Sequence, residues 1–220
     1  MPALAEPVSR IFDKVAALDC VSDYLLVGGT ALSLQLQTRL SEDLDFMQWK
    51  PSGKREVDWV DIKKELETVG AVQSVEVLEF FHVLFVVDEV KISFYCVDKV
   101  SPVTNPVPIS ANLRAADLLA IAAMKMEVLM RRAAFRDYYD IYSLFKQGVD
   151  LNDAIELALK YSKHQMKRKN LLAILCNGNR FLKSDDFQLL LPVYDVTADE
   201  IAAFMSDKIN STFFTPPALP

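Results

Sequence analysis

The sequence predicts an α+β fold, with a mixed sheet flanked by helices over residues 1–110 and a helical region over 111–210. Three observations predict it. Apolar runs of strand length alternate with amphipathic segments as far as Val97. From about Leu113 only helical periodicity remains. Between them, residues 98–109 hold prolines at 102, 106 and 108, which predicts a linker or an extended crossing. The 220 residues suffice for one large domain or two small ones, and a 51% hydrophobic composition supplies a core.

The elements follow in order. Val8, Ile11, Phe12, Val15, Ala16 and Leu18 fall roughly on one face, predicting a helix over 7–19. Tyr24–Val27 is a short strand that ends at Gly28–Gly29. In Thr30–Gln37, three leucines alternate with polar residues, a pattern open to a strand as well as a helix. Helix is preferred, because a Gly-Gly-Thr turn at its start would present N–H groups to a ligand. Asp43–Gln48 is the next strand, and Pro51–Ser52–Gly53 is a loop. Glu56–Val69 is an amphipathic helix with Trp59, Ile62, Leu66 and Val69 on one stripe, stopped by Gly70. Strands follow at Val72–Leu78, Phe80–Val87 and Val90–Val97, with Asp88–Glu89 as the turn between the last two. Beyond the linker, 114–132, 137–147, 151–162 and 167–176 read as helices, the third starting at Asp150 or Asn152. Thr197–Glu200 is a capping box that opens a last helix to about Ile209. Residues 211–220, with three prolines and no charge, predict a loose tail.

Bulk properties narrow the function. A net charge of −6 gives no general attraction to nucleic acid, so any such contact needs a local basic face. The run Lys160, Lys163, His164, Lys167, Arg168, Lys169 offers one, although a solvated helix face explains it better. Cys20, Cys96 and Cys176 are odd in number and far apart, and Cys20 and Cys96 sit in or beside apolar runs, which predicts buried thiols in a reducing compartment. Two histidines and no CxxC argue against a histidine/cysteine metal cluster. The N-terminus lacks a signal-peptide pattern and no apolar run approaches membrane-spanning length, which predicts a soluble, cytoplasmic protein without a membrane partner.

The chemistry concentrates in residues 25–46. Gly28 and Gly29 let a backbone approach a phosphate closely, because no Cβ intervenes. Asp43 and Asp45 stand at i and i+2 on a strand, so both face one side and can hold one divalent metal. Alone, Gly-Gly is most often an ordinary turn, and a lone DxD is often a pair of solvated loop acids. Together, and with Asp45 set between Leu44 and Phe46, they are the equipment of phosphoryl or nucleotidyl transfer. The sequence lacks both GxxxxGK[ST] and GxGxxG, so a P-loop is excluded and dinucleotide binding has no support. A second group is Lys125, Arg132, Arg136 and Asp140, spaced to share one side of a helix or of two nearly continuous helices. Such runs are usually solvated faces, but the apolar residues around this one suggest a cleft.

Gly-Gly-Thr-Ala-Leu, then Arg-x-Ser-x-Asp-Leu-Asp-Phe, then a lysine followed by Arg-x-x-x-Arg-Asp-Tyr-Tyr-Asp-Ile-Tyr, resembles the AbiEii/AbiGii toxin family. These are nucleotidyltransferase-like proteins of the DNA polymerase β superfamily, toxins of type IV toxin–antitoxin and phage-abortive-infection systems. The resemblance covers most of residues 20–150. It implies a nucleotidyltransferase-type sheet and transfer of a nucleoside monophosphate from an NTP to an acceptor, either RNA such as tRNA or a protein. It also implies a cognate antitoxin as partner. By the resemblance, Asp43 and Asp45 bind Mg²⁺ and form the catalytic set with Lys125 and Asp140. Gly28, Gly29, Thr30, Arg39, Ser41, Lys91, Arg132 and Arg136 contact the nucleotide, and Asp137 braces the site. One departure matters. The superfamily usually supplies a third carboxylate from a later strand; in this family it commonly stands two residues after a lysine, and here Lys91 leads to Ser93. A hydroxyl is a poor substitute for a charged ligand, so the alternative is a catalytically impaired nucleotide-binding or partner-binding protein on the same fold.

Overall fold

A computed structural model of the chain describes residues 3–162, 166–182 and 184–214. Lys163, His164 and the tail segment 215–220 lie outside the described residues. The chain divides into two compact units, the first ending at Asp117 and the second beginning at Leu118.

The first unit opens with α1 (Glu6–Ala16), whose Val8, Ile11, Phe12, Val15 and Ala16 are buried as their spacing predicts. After β1 (Leu25–Val27) comes α2 (Gly28–Leu36), which settles the ambiguity of its leucines in favour of helix. It starts two residues earlier than expected, so the double glycine forms its first turn. β2 (Asp43–Trp49) precedes α3 (Trp59–Leu66), a helix shorter than expected. Ile62 and Leu66 are buried in it, but Trp59 is 37% exposed and does not belong to the buried stripe. Three strands then form a meander: β3 (Val72–Glu79), β4 (His82–Val87) and β5 (Val90–Val97). Their second turn has Asp88 at φ 45° and Glu89 at φ 70°, the left-handed pair that matches the twist of a tight hairpin.

Of the linker or extended crossing expected over 98–109, residues 107–109 are strand, and the helix expected from residue 114 is corrected, since it starts at Leu118. Val107–Ser110 is β6 and Leu113–Ala115 is β7, an antiparallel hairpin. β6 lies at the sheet edge, where a proline such as Pro108 costs no interior ladder bond. The sheet has seven strands in the order β3-β4-β5-β2-β1-β7-β6. β2 is antiparallel to β1 and parallel to β5. Its inward residues Leu44 and Phe46 are fully buried, and Phe46 stacks on Phe94 of β5 at 4.9 Å between ring centroids.

The second unit is helical: α4 (Leu118–Arg131), α5 (Phe135–Lys146), α6 (Leu151–Tyr161), α7 (Arg168–Leu175) and α8 (Ala198–Phe213). The Asp150 carboxylate caps α6 by accepting from the Asp153 N–H. Thr197 and Glu200 form the expected capping box of α8. That helix runs to Phe213, so residues 211–213 are helical, not part of a loose tail. Tyr138 of α5 stacks on Phe181 at 4.1 Å in the core of this unit. Among the described residues no helix is long and apolar enough to cross a membrane.

Candidate functional site

In the first unit the site grows from the junction of β1 and α2. Val27 ends the strand with extended backbone, and Gly28 turns at φ 69° to start the helix. A side chain there would be strained, and its Cβ would stand 2.8 Å from Asp45 Oδ2. A Cβ on Gly29 would stand 2.6 Å from Arg39 Nη2 and 3.2 Å from Ser41 Oγ. The room left by the two glycines is therefore taken by the chain's own Asp45 carboxylate and Arg39 guanidinium. Arg39 is only 5% exposed, and its Nη1 donates to the Leu40 carbonyl at 2.8 Å. Thr30 is buried; its hydroxyl donates to the Asp43 carbonyl and stands 2.8 Å from the Ser41 hydroxyl. The helix start, the 38–41 segment and β2 are thus tied together.

Along β2, Leu44 and Phe46 go into the core, so Asp43 and Asp45 share the opposite, half-buried face. The parallel register sets Lys91 beside Asp43 and Ser93 beside Asp45. Val90, Ile92, Phe94 and Cys96 are the buried set of β5, as the strand pattern predicts, which leaves Ser93 on the face of the two acids. Asp88, in the turn before β5, is engaged elsewhere: it accepts from the Ala71 N–H at 2.9 Å. Among the described residues, no group of three His, Cys, Asp or Glu side chains is suited to hold a metal ion. Two carboxylates with an adjacent hydroxyl fit one Mg²⁺ of a nucleotide complex and leave a second metal short of ligands. A cavity of about 280 Å³ opens beside Asp43, lined by Glu42, Glu89, Lys91 and the start of α1 at Ala5, Pro7 and Val8. Sequence reasoning missed Glu42 and the helix start, because only the pairing of Leu4 with Ser41 brings them together.

In the second unit, Lys125 on α4 lies 2.7 Å from Asp137 Oδ1 and 2.7 Å from Asp140 Oδ2 on α5. Arg132, in the turn between those helices, binds both Asp137 oxygens, at 2.7 and 3.1 Å. Both aspartates are fully buried and Lys125 is 6% exposed. Burial would raise the Asp137 carboxyl, but the Lys125 charge and the hydrogen bonds from Arg132 and Lys125 hold it well below the usual carboxylate range. The lysine, two acids and Arg132 thus neutralise one another. Arg136 does not join them, and makes no ion pair among the described residues.

The family model described as "Nucleotidyl transferase AbiEii toxin, Type IV TA system" matches residues 16–211. The chain belongs to the AbiEii family. This AbiEii protein is 28% identical over 169 residues to the uncharacterized protein aq_aa25 of Aquifex aeolicus (strain VF5), covering 73% of this chain and 76% of that one. Its fold is similar to that of MenT4, the nucleotidyltransferase toxin Rv2826c from Mycobacterium tuberculosis H37Rv, with a TM-score of 0.55 at 16% identity. That likeness covers 92% of this chain and 86% of MenT4, and it concerns the fold. AbiEii membership makes the protein a nucleotidyltransferase-type, toxin-like chain of a toxin–antitoxin family.

Proposed function

We propose that the protein transfers a nucleoside monophosphate from an NTP–Mg²⁺ complex to a hydroxyl of an acceptor, RNA or protein. The observation that carries this reading is the seating of Asp45 on Gly28, at the first turn of α2 and beside Asp43. It joins a carboxylate pair to a helix N-terminus, where backbone N–H groups and the helix dipole favour phosphate. Arg39, fixed against Gly29, adds a guanidinium matched to phosphate oxygens. Asp43 and Asp45 would hold Mg²⁺, which when bound neutralises charge on the phosphates. The acceptor oxygen bonds to the α-phosphorus as the bond to the pyrophosphate oxygen breaks, and the hydroxyl proton passes to water. Lys125, Asp137, Asp140 and Arg132 form a charge-balanced brace for α4 and α5. The site works in the cytoplasm, with a cognate antitoxin as its protein partner.

A second reading has its own support. Ser93 stands where a third carboxylate would complete the site, which favours a nucleotide-binding protein with little turnover. Incubation with each labelled NTP, Mg²⁺ and total cellular RNA decides between them. Label transfer that disappears in Asp43→Asn and Asp45→Asn establishes the transferase. Binding without transfer establishes the sensor, and the absence of both sinks the nucleotide site.

A further inference from the structure

The sheet face that carries Asp45 continues past it into an aromatic pair. Tyr95 of β5 follows Ser93 by two residues, so it shares that face, and the register sets it beside Met47 of β2. On the next strand His82 is its direct partner, and the two rings stack with centroids 4.0 Å apart and planes 21° from parallel. Both residues are half-buried, whereas the alternate residues of these strands, such as Phe85 and Phe94, are fully buried in the core.

We propose that Tyr95, backed by His82, is the platform on which the base of the bound nucleoside triphosphate stacks. The inference rests on the nucleotide reading above and names where the base goes. The order of strands supports it. The glycine turn lies at the end of β1, on one side of β2, and Tyr95 lies on β5, on the other. A nucleotide whose α-phosphate sits at Asp45, with its β- and γ-phosphates toward Gly28, directs its ribose and base toward β5. Tyr95 is roughly 7 Å beyond Ser93 along the strand, about the reach of a ribose. Charge selects one nucleotide over a nucleic-acid strand. Glu79 of β3 is the direct partner of His82, and Glu76 lies nearby on the same strand. Carboxylates beside the ring pair repel a phosphate backbone but leave an uncharged base unaffected. Aromatic stacking accepts any base, since every base has a π-face.

The test is calorimetric titration with inorganic tripolyphosphate, with each NTP and with a single-stranded RNA oligonucleotide, in Mg²⁺, of the natural protein and of Tyr95→Ala and Tyr95→Phe. Tyr95→Ala should weaken NTP binding by about fivefold or more. Its tripolyphosphate affinity should be unchanged, which also shows that the variant is folded. Tyr95→Phe, which keeps the ring, should bind like the natural protein. The proposal is overturned if Tyr95→Ala leaves NTP affinity intact, or if NTP and tripolyphosphate are lost together. A loss confined to a single-stranded RNA oligonucleotide would overturn it too, assigning the platform to the acceptor. If the natural protein binds neither tripolyphosphate nor NTP, the underlying nucleotide reading fails first and takes the platform with it.

Discussion

Asp137 shows how a single residue can be held ionised inside a core. Burial works against its charge, and the Lys125 ammonium and Arg132 guanidinium outweigh burial. Removing one member of such a group leaves the others buried and unpaired. Asp137→Asn should therefore cost about 3–5 kcal/mol at pH 7, read from urea denaturation. A cost below about 1 kcal/mol would show that the charges are not truly desolvated. The pH dependence has a definite sign. A carboxyl whose folded pKa is depressed contributes its full stability above its unfolded value, about 3.9, and loses it as pH falls through the lower folded value. The urea midpoint of the natural protein should drop as pH is lowered below about 4, and Asp137→Asn should flatten that drop. The spacing of Lys125, Arg132, Arg136 and Asp140 predicted one shared side, and of these four Arg136 stays outside the ion-paired group. That Lys125 and Arg132 both close on Asp137 was not legible, because spacing gives a face and not what lies opposite it. The double glycine is a similar case. Its need for closeness was legible, but the groups that come close are Asp45 and Arg39 themselves.

At the scale of elements, the parallel pairing of β2 with β5 decides what position 93 can do. Strand alternation was clear from sequence, and it placed Asp43 and Asp45 on one face. The adjacency of Ser93 and Asp45 depends on register, which the structure supplies. Ser93→Asp should tighten Mg²⁺ binding, since a carboxylate is a far better ligand for a hard cation than a hydroxyl. Titration with Mg²⁺ in the presence of NTP checks this, and unchanged affinity would mean that the new carboxylate cannot reach the ion. The hairpin of β6 and β7 was illegible for a physical reason. β7 has three residues and β6 holds a proline, so neither carries enough alternation to be seen. β7 owes its state to its pairing with β1, and β6 to its pairing with β7, rather than to local preference.

For the whole molecule, the balance of charge is the property with the clearest consequence. A chain of net charge −6 with an isoelectric point near 5.0 repels its own copies at neutral pH. Solubility should pass through a minimum near pH 5.0, measured as light scattering across a pH series at fixed protein concentration. A monotonic profile through that range would mean that local patches, not net charge, govern association. The two-part organisation was also visible in advance, since strand patterns stop where helical ones begin. The first unit extends through Asp117 because the short hairpin belongs to the sheet.

The register of β2 has a consequence in time as well as in space. Asp43 pairs with Lys91, which the ribosome adds much later. At about 5–20 residues per second the delay is roughly 2–10 s, with the exit tunnel still to be cleared. Throughout that interval β2 can pair with β1, its local neighbour, but the strand bearing Ser93 and Tyr95 has yet to arrive. A nascent chain therefore carries its acidic pair long before Ser93 and Tyr95 can stand on the same face beside it.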